Sequence, residues 1–578
     1  MNNPLWSALD MVSNSLWASL AVMIPLLAAV LIFILGRRSV WFLLSATVIG
    51  VLISVSKLAV LVWTTGPQEY FVGGWAAPLG IQWYVDGLSV LMLLMTAIVA
   101  SFLTGYALKY LSCFEKKSSS TPILQRGESI NEVKSSWQSG ESEELKYPLV
   151  PVEDKKSTLP VAYEKLDDKS GNVIAFSKPE NFLFWPLWLL VWGGLNALFL
   201  SSDLFNIYIA LEIVTLAVIP LITWHGDVPA LTAGMRYFLV SLTASLIYLL
   251  GLALLYGAFG TLDITSLSLE IQTGPTTYVF VSLILLGLLI KTALFPLHVW
   301  LPAVYANAPA PVSALLAALV IKAPFYIILR LWFEVFPSEF LPMASQLLGI
   351  LGAIALIWGG WQAWQQQQLK LLIAYSVVAQ VGYFFLLFPI ASSMIDTWSI
   401  MAWQGGIFFM LSHALAIAAM FMVVGNILYS LDVDELEIRN QESENEVTEL
   451  ATFVGNRENW RGLGRSLPIT FVAFALAGMS IIGLPPSGGF FAHQLLFRAA
   501  WHSGQWWWIG VIVVGSALAF AYLWKVLRYA FKKKDNLVQS TLPLSMQLIP
   551  LILAIMGLAL GLVTTYSFNI LEIGSPFE

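Results

Sequence analysis

The chain of 578 residues contains a single cysteine, Cys113. One cysteine excludes an internal disulfide and any metal cluster held by several cysteines. The sequence also lacks an HExxH motif, a CxxC motif and a glycine-rich phosphate loop, and the spacing of its histidines predicts no metal site. We therefore expect no cofactor, and we expect that the chain is not itself a redox centre.

Charge is scarce as well. Asp, Glu, Lys and Arg make up 11% of the chain, against about 25% in soluble proteins, whereas hydrophobic residues make up 58%. The 24 tryptophans include groups near the ends of apolar runs, as aromatic belts at a membrane interface require. The small net charge of −6 gives no indication of nucleic-acid binding. These features predict an all-α polytopic protein integral to a lipid bilayer.

Apolar runs long enough to cross about 30 Å of hydrocarbon predict about fourteen transmembrane helices. They lie at 14–36, 39–65, 86–110, 182–201, 204–224, 234–257, 277–297, 311–332, 343–363, 370–390, 399–428, 467–503, 506–531 and 544–567. Arg37 and Arg38 follow the first run and Lys532 to Lys534 follow the thirteenth, and both basic clusters should be cytoplasmic. Both termini are then outside, provided that 467–503, which Pro485 and Pro486 interrupt, makes one net crossing. The first run lacks a basic leader and a cleavage site, so we expect it to be retained.

Two polar stretches separate groups of apolar runs. Residues 111–181 predict a flexible cytoplasmic insertion, with a partner-docking segment as the alternative. Residues 432–466 predict an acidic, solvated connecting loop. The expected organisation is N-terminal transmembrane helices at 1–110, the insertion, a transmembrane core at 182–431, the acidic loop, and C-terminal transmembrane helices at 467–578.

Glu212, Lys291 and Lys322 stand inside three different apolar runs. A charge near the bilayer centre costs about 2.5–3.5 kcal/mol, so such residues usually mark an ion or proton path. Lys322 is too far from either end of its run to reach the headgroups, whereas Arg330 lies near the end and is predicted to snorkel. For both lysines the alternative is a static ion pair with a carboxylate.

Lys291 also lies five residues before Pro296, which should break the helix and free a carbonyl near Thr292. Broken helices at membrane depth line cavities, and their freed carbonyls help to bind transported ions. An ammonium group beside Glu212 would favour the carboxylate, so a proton loaded on a neighbouring site would switch the pair.

Several other side chains are candidates for proton transfer. His298, His413 and His493 fall in or beside apolar runs, and imidazole titrates near neutral pH, although a hydrogen-bonded structural role is the alternative. Arg236 lies near the start of its run, where snorkelling is the alternative. Tyr305, Ser313 and Gln380 are suited to support a proton wire.

Five segments carry a family resemblance: DGLSVLMLLM (86–95), SSDLFNIYIALEIV (201–214), IKTALFPLHVWLPAVYANAPAPVSALLAALVIKAPFYIILR (290–330), LKLLIAYSVVAQVGYFF (369–385) and GLPPSGGFF (483–491). The chain resembles the antiporter-like membrane subunits, a family that includes subunits A and D of Mrp-type sodium/proton antiporters, the proton-pumping subunits of respiratory complex I, and their relatives in membrane-bound hydrogenases. It looks closest to the Mrp D subunit.

The resemblance implies fourteen helices with two inverted five-helix repeats, each containing a broken helix, and a proton path along the membrane midplane. The core at 182–431 then holds the first half-channel and the start of the second. By motif, Glu212 matches the family's intramembrane glutamate, Lys291 the lysine of the first broken helix, and Lys322 the central lysine. Arg236 takes the place of a frequent lysine that modulates the glutamate–lysine pair.

Two positions depart from the family pattern. Within 408–425 the family usually reads His-x-x-x-Lys, with a lysine in the second broken helix, but here Ile417 follows His413. Near 493 the family often has lysine, and this chain has His493. The second half-channel therefore lacks its usual charge, and His413, His493 or a partner subunit is expected to replace it.

Three functions follow from these observations. The first is an ion-translocating subunit of a multisubunit Na⁺/H⁺ antiporter in the bacterial plasma membrane, with other membrane subunits, protons and Na⁺ as partners. The second is a proton-pumping module of a complex I-like oxidoreductase or a hydrogenase. The third is a scaffold subunit that has lost transport, which Ile417 favours and the three buried charges oppose.

Overall fold

The computed structural model describes residues 4–75, 80–120, 181–337, 341–391, 397–439, 461–533 and 542–577. Within these ranges the chain is mainly helical, and twelve helices are long and apolar enough to cross a membrane. Two shorter apolar helices, Phe184–Leu200 and Pro468–Ile482, bring the crossings in the described ranges to the predicted fourteen. The chain is thus an integral, multi-pass membrane protein, as its composition indicates.

The chain divides into two units, of which the larger comprises Met1–Tyr110 and Glu180–Glu578. The smaller unit, Leu111–Pro179, is described only for its first ten residues, which are helical. The predicted insertion at 111–181 and the predicted acidic loop at 432–466 therefore lie outside the described residues, except for their ends.

The N-terminal part contains two helices, a hairpin and a third helix. They are α1 (Pro4–Leu35), α2 (Val40–Thr65), β1 (Gln68–Phe71), β2 (Gln82–Val85) and α3 (Gly87–Ser120). The two strands pair antiparallel, with Gln68 opposite Val85. This hairpin is absent from the predicted all-α fold because four-residue strands give too short a pattern to detect.

A first set of helices follows. It consists of α4 (Phe184–Leu200), α5 (Leu204–Ile222), α6 (Val228–Phe259), the short α7 (Ile264–Glu270), α8 (Pro275–Thr292), α9 (Trp300–Asn307) and α10 (Ala310–Val335). Helices α8 and α9 together make one broken crossing, so the set crosses the membrane five times.

A second set has the same order. It consists of α11 (Leu341–Gln365), α12 (Leu369–Ile390), α13 (Thr397–Arg439), the one-turn α14 (Leu463–Ser466), α15 (Pro468–Ile482), α16 (Gly488–His502) and α17 (Trp507–Ala530). The broken crossing, α15 with α16, is again the fourth of five. Because five is odd, two consecutive sets begin on opposite faces of the membrane, which is the inverted arrangement that the resemblance implies. Helices α18 (Leu544–Leu562) and α19 (Thr564–Glu572) end the chain.

The two breaks have similar backbones. Helix α8 is followed by Ala293, whose φ is 57°, and α15 is followed by Gly483, whose φ is 83°. Each break contains a cis peptide bond, Phe295–Pro296 in the first and Pro485–Pro486 in the second. The prolines singled out in the sequence therefore do lie where the two crossings are interrupted.

Helices α10, α12 and α13 form the centre of the bundle. In their apolar segments 94%, 89% and 100% of the residues are buried, whereas α1, α2 and α17 are buried over only about a third. Gly87 N at the start of α3 donates a hydrogen bond to Ile573 O, so the hairpin and the C-terminal residues meet on one face. We call this the outer face, because the basic clusters at 37–38 and 532–534 are predicted to be cytoplasmic.

Candidate functional site

The structure brings Glu212 on α5 and Lys291 on α8 into contact. The Lys291 Nζ atom donates a hydrogen bond to Glu212 Oε1 at 3.1 Å. The lysine side chain is 6% exposed and the glutamate side chain 21% exposed, so the carboxylate lies nearer the lateral edge of the bundle. Two charges that are 79 positions apart in the sequence thus form one partly buried pair within the transmembrane helices.

Three hydroxyl groups surround this pair. Lys291 Nζ also donates to Thr215 Oγ1 at 3.3 Å and to Ser241 Oγ at 3.2 Å, so its three N–H groups have three acceptors. Ser245 Oγ donates to Glu212 Oε1. Ser241 and Ser245 were not among the residues predicted from the sequence, although their spacing of four residues places both on one face of α6.

The break after α8 is stabilised by an indole group. Trp300 Nε1 donates to Ile290 O at 3.1 Å, and Ala293 N donates to the same carbonyl at 3.2 Å. The carbonyl that the break frees next to Lys291 is therefore satisfied by α9. This contact fixes the end of α8, and with it the position of the lysine.

A small cavity lies between Lys291 and the helix that carries Lys322. Its volume is about 20 Å³, enough for one water molecule, and Lys291, Tyr305 and Pro324 are among its lining residues. Tyr305 is fully buried, and its hydroxyl has no hydrogen-bond partner in the described part of the chain. A buried hydroxyl without a partner is costly, so this is a polar position suited to hold water.

Lys322 is fully buried near the middle of α10. Its Nζ atom donates to Ala317 O at 2.8 Å and stands 5.7 Å from the centroid of the Phe384 ring. Residues Leu316–Val320, just before it, form a π-helical turn, a local irregularity that is frequent at functional sites. No carboxylate of the described residues pairs with Lys322, so the static ion pair considered for it is not observed.

His413 and His493 continue the line of buried polar groups beyond Lys322. The His413 ring lies 5.5 Å from that of Phe384, and neither of its nitrogens has a hydrogen-bond partner among the described residues. The His493 ring stacks 5.2 Å from Phe409, whose ring is 6.3 Å from His413. Both histidines are buried.

Ile417 lies on α13 and not in the second broken crossing. Residues 408–425 lie within the unbroken helix α13, so neither His413 nor Ile417 belongs to the second broken helix. That break lies at 483–487, and His493 on α16 packs against it: a Cβ atom on Gly483 would stand 2.2 Å from His493 Nδ1.

His298 and Arg236 lie apart from this line. The His298 ring packs against Phe295 at 5.4 Å and Trp358 at 4.6 Å, within the first break but on the side of α11. Arg236 is exposed on α6. In the described residues neither side chain contacts the Glu212–Lys291 pair.

The prediction that Arg330 snorkels is wrong. Arg330 is 4% exposed, and its guanidinium binds Asp86 through two hydrogen bonds of 2.5 and 2.6 Å and Glu334 through one of 2.7 Å. Two carboxylates compensate the charge, so the side chain does not need to reach the headgroups. Glu334, four residues after Arg330 on the same helix, was the signal that the sequence offered.

Comparisons with known proteins agree with this architecture. Residues 201–519 match the family described as NADH:quinone oxidoreductase/Mrp antiporter, TM. NADH-quinone oxidoreductase subunit N of Desulforudis audaxviator is 29% identical over 522 residues, which cover 89% of this chain and 86% of that protein. Putative antiporter subunit mnhD2 of Staphylococcus aureus is 24% identical over 568 residues, which cover 97% and 95%.

A solved structure shares the fold. A chain in the Mrp complex from Dietzia sp. DQ12-45-1b superimposes with a TM-score of 0.72 at 22% identity, and the match covers 97% of this chain and 98% of that one. The likeness therefore extends over nearly the whole length of both chains.

Proposed function

The chain belongs to the NADH:quinone oxidoreductase/Mrp antiporter transmembrane family, and on that premise we propose that it is an ion-translocating subunit of a multisubunit membrane complex. It moves protons through the line Glu212, Lys291, Lys322, His413 and His493. We propose further that the complex is an Mrp-type antiporter in a bacterial plasma membrane, which exchanges Na⁺ for protons together with other membrane subunits.

One observation carries the proposal: the contact between Lys291 Nζ and Glu212 Oε1 beside the broken end of α8. A pair at about 4 Å attracts with on the order of 4 kcal/mol at an effective dielectric constant of 20. A proton that arrives at Glu212 neutralises the carboxylate and removes this attraction. The Lys291 ammonium then loses the main interaction that stabilises its protonated form. The pair thus converts a protonation at the edge of the bundle into a proton release toward its centre.

The next step inward uses the cavity beside Lys291. We propose that one water molecule there accepts the proton, with the Tyr305 hydroxyl as its hydrogen-bond partner. Lys322 receives the proton on the far side, on α10. Its ammonium has a single carbonyl acceptor, Ala317 O, instead of a carboxylate, so no fixed negative charge holds the proton in place.

In the second half, His413 and His493 take the place of the family's lysine. Both are buried, and His413 has two nitrogens without partners in the described residues, so water can connect them to Lys322. His298 and Arg236 have no part in the central line. Their proposed contribution is limited to the first break and to the surface of α6, respectively.

A second function has its own support. The relative at 29% identity is named as a subunit of an NADH-quinone oxidoreductase, so the same relay is suited to a pump driven by electron transfer in a neighbouring subunit. The two functions differ in the driving force and share the path. A sodium gradient moves protons in the first case, and oxidation of a reduced donor moves them in the second.

The test is proton movement in proteoliposomes that contain the whole complex. Lys291→Ala should abolish proton movement driven by a sodium gradient while the complex still assembles. Lys57→Ala is the matched control, because Lys57 is an exposed lysine in the apolar helix α2. Parent-like proton movement in the Lys291→Ala complex would overturn the proposal, including its redox-driven form.

Subunit composition separates the two forms. Mass spectrometry of the intact complex in mild detergent should find only small hydrophobic partners for the antiporter. Co-purifying flavin or iron–sulfur subunits would select the redox-driven pump. An assembled complex that moves no protons under either driving force would leave the scaffold role as the remaining function.

A further inference from the structure

A water-accessible cavity at the outer face extends inward to α10. Its volume is about 350 Å³. Its lining includes Glu69, Thr265 and Ser268, which are exposed, and Tyr326 and Arg330, which are only 1% and 4% exposed. The cavity therefore connects the outer solution with buried side chains of α10.

Arg330 and Tyr326 lie on α10 between its outer end and Lys322. The three residues are spaced by four within the regular helical segment Lys322–Arg330, so they share one face of the helix. At a rise of 1.5 Å per residue, Tyr326 is about 6 Å and Arg330 about 12 Å from Lys322 along the helix axis. The lysine that we propose to carry protons is therefore close to a cavity that the outer solution can enter.

The guanidinium of Arg330 has no free donor. Its five N–H groups have five acceptors: Nε donates to Tyr326 Oη, Nη1 to Asp86 Oδ2 and Glu334 Oε1, and Nη2 to Asp86 Oδ1 and Ser89 Oγ. A guanidinium also stays protonated in proteins. It can therefore neither pass a proton on nor turn toward a water molecule without breaking one of these bonds.

The hydroxyl group of Tyr326 is fixed as well. It accepts from Arg330 Nε at 3.1 Å and donates to Phe199 O at 3.0 Å, so its proton points to a backbone carbonyl, which cannot relay it. The Phe199 ring packs edge-on against the Tyr326 ring at 5.1 Å. The guanidinium itself lies between two rings, 5.3 Å from the centroid of Tyr326 and 5.7 Å from that of Tyr84.

This cluster differs from the relay in how its polar atoms are used. In the described part of the chain, Tyr326 and Arg330 have no buried polar side-chain atom without a partner, whereas Tyr305, His413 and His493 each have one or more. Buried polar atoms without protein partners are the places where internal water binds. Water can therefore complete a proton path along the relay, but the complete contacts around Arg330 leave no polar atom to bind it.

We propose that Arg330 and Tyr326 form a proton seal, which holds α10 against α3 and α4 and separates the outer cavity from Lys322. The seal deepens the proposed function and rests on it, since it matters only if Lys322 carries protons. A direct path from Lys322 to the outer cavity would let protons cross the membrane without using the second half of the relay. Fixed positive groups are one way in which membrane proteins exclude protons from a water-filled passage.

The experiment is passive proton influx into proteoliposomes that contain the whole complex, without sodium and without a redox donor. A potassium diffusion potential, negative inside, drives protons inward, and a pH-sensitive dye in the lumen reports them. Tyr326→Phe keeps the ring but removes the acceptor of Arg330 Nε. Losing a hydrogen bond to a charged group should weaken the seal and raise the proton influx about tenfold over the parent. Arg330→Lys should also raise it, because lysine has three donors instead of five and can release its proton.

Two matched controls are available. Ser268→Ala changes an exposed residue of the same cavity, and Tyr256→Phe removes the hydroxyl of an exposed tyrosine, so both should keep the parent influx. The decisive variant is Tyr326→Phe/Lys322→Met. Its influx should fall back to the parent rate, because the leak reaches the proton path at Lys322, whereas a general loosening of the bundle would leave the influx high.

Two results would overturn the seal: parent-like influx in both Tyr326→Phe and Arg330→Lys, or an increased influx that persists in Tyr326→Phe/Lys322→Met. If Arg330→Lys does not assemble, Tyr326→Phe alone decides. The Lys291→Ala complex separates this proposal from the proposed function. If proton movement is lost there and Tyr326→Phe shows no leak, the proposed function stands and the seal is wrong. If Lys291→Ala moves protons at the parent rate and Tyr326→Phe leaks through Lys322, the seal stands and the proposed relay is wrong.

Discussion

Replacing Arg330 with methionine should destabilise the protein strongly. The guanidinium donates two hydrogen bonds to Asp86, one to Glu334, one to Ser89 Oγ at 2.9 Å and one to Tyr326 Oη at 3.1 Å. Without it, the buried carboxylate of Asp86, 2% exposed, and the partly buried carboxylate of Glu334, 21% exposed, lose their common counter-charge. Removing one partner of a buried ion pair costs about 3–5 kcal/mol, because the other charge is left uncompensated.

The size of the loss can be checked with a set of variants. Asp86→Asn should cost less than Arg330→Met, since Arg330 keeps Glu334 and asparagine keeps the cap to Ser89 N. The double variant Asp86→Leu/Arg330→Met should recover part of the loss, because an apolar pair in place of a buried ion pair is often neutral. Arg498→Met, at an exposed arginine on α16, should stay within about 0.5 kcal/mol of the parent.

The assay is thermal unfolding of the complex in detergent, followed by tryptophan fluorescence. An Arg330→Met midpoint equal to that of Arg498→Met would refute the reasoning. It would mean that the guanidinium reaches the headgroups, as its place near the end of the helix suggests, and that the carboxylates need no counter-charge from it.

Two further variants test the relay and the second break. Gly483→Ala should lower the unfolding midpoint more than Gly504→Ala does. Both glycines have a positive φ, 83° and 73°, but only at Gly483 would the new Cβ meet a side chain, with His493 Nδ1 at 2.2 Å. Equal midpoints would contradict the packing of His493 against the break. Tyr305→Phe should leave the midpoint unchanged or raise it, since the hydroxyl has no partner in the described residues, and should slow proton movement about tenfold if it holds the water beside Lys291. Tyr256→Phe, at an exposed tyrosine, is its control, and proton movement at the parent rate in Tyr305→Phe would exclude this hydroxyl from the path.

The architecture could be predicted well because each crossing is an apolar run of sufficient length. The prolines at 296 and 485–486 even located the two breaks, because proline cannot continue a helix without losing a hydrogen bond. The contacts of the site were less accessible. That Lys291 meets Glu212 depends on how α5 and α8 pack, and the hydroxyl partners on α6 have no signal of their own among many serines and threonines in the apolar runs.

Arg330 shows where a rule of position fails. Distance from the end of a run predicts snorkelling only if no carboxylate lies within reach inside the protein. Asp86, the residue just before α3, is 244 positions earlier in the chain. Long-range pairing of this kind is decided by tertiary packing, and local sequence patterns do not report it.

Lys322 and Arg330 lie on one helix, eight residues apart, and the contrast between them separates structure from transport. The guanidinium of Arg330 stays protonated in proteins, and it is held here by two carboxylates and two hydroxyls, so its charge is fixed and its contacts are complete. An amine can release its proton, and Lys322 has a carbonyl acceptor, Ala317 O, and an aromatic ring beside it instead of a carboxylate. A cation that only holds helices together has a carboxylate partner, as Arg330 has and, in the described residues, Lys322 does not. The incomplete compensation of Lys322, which is fully buried in α10, is therefore the arrangement expected of a group that must gain and lose a proton.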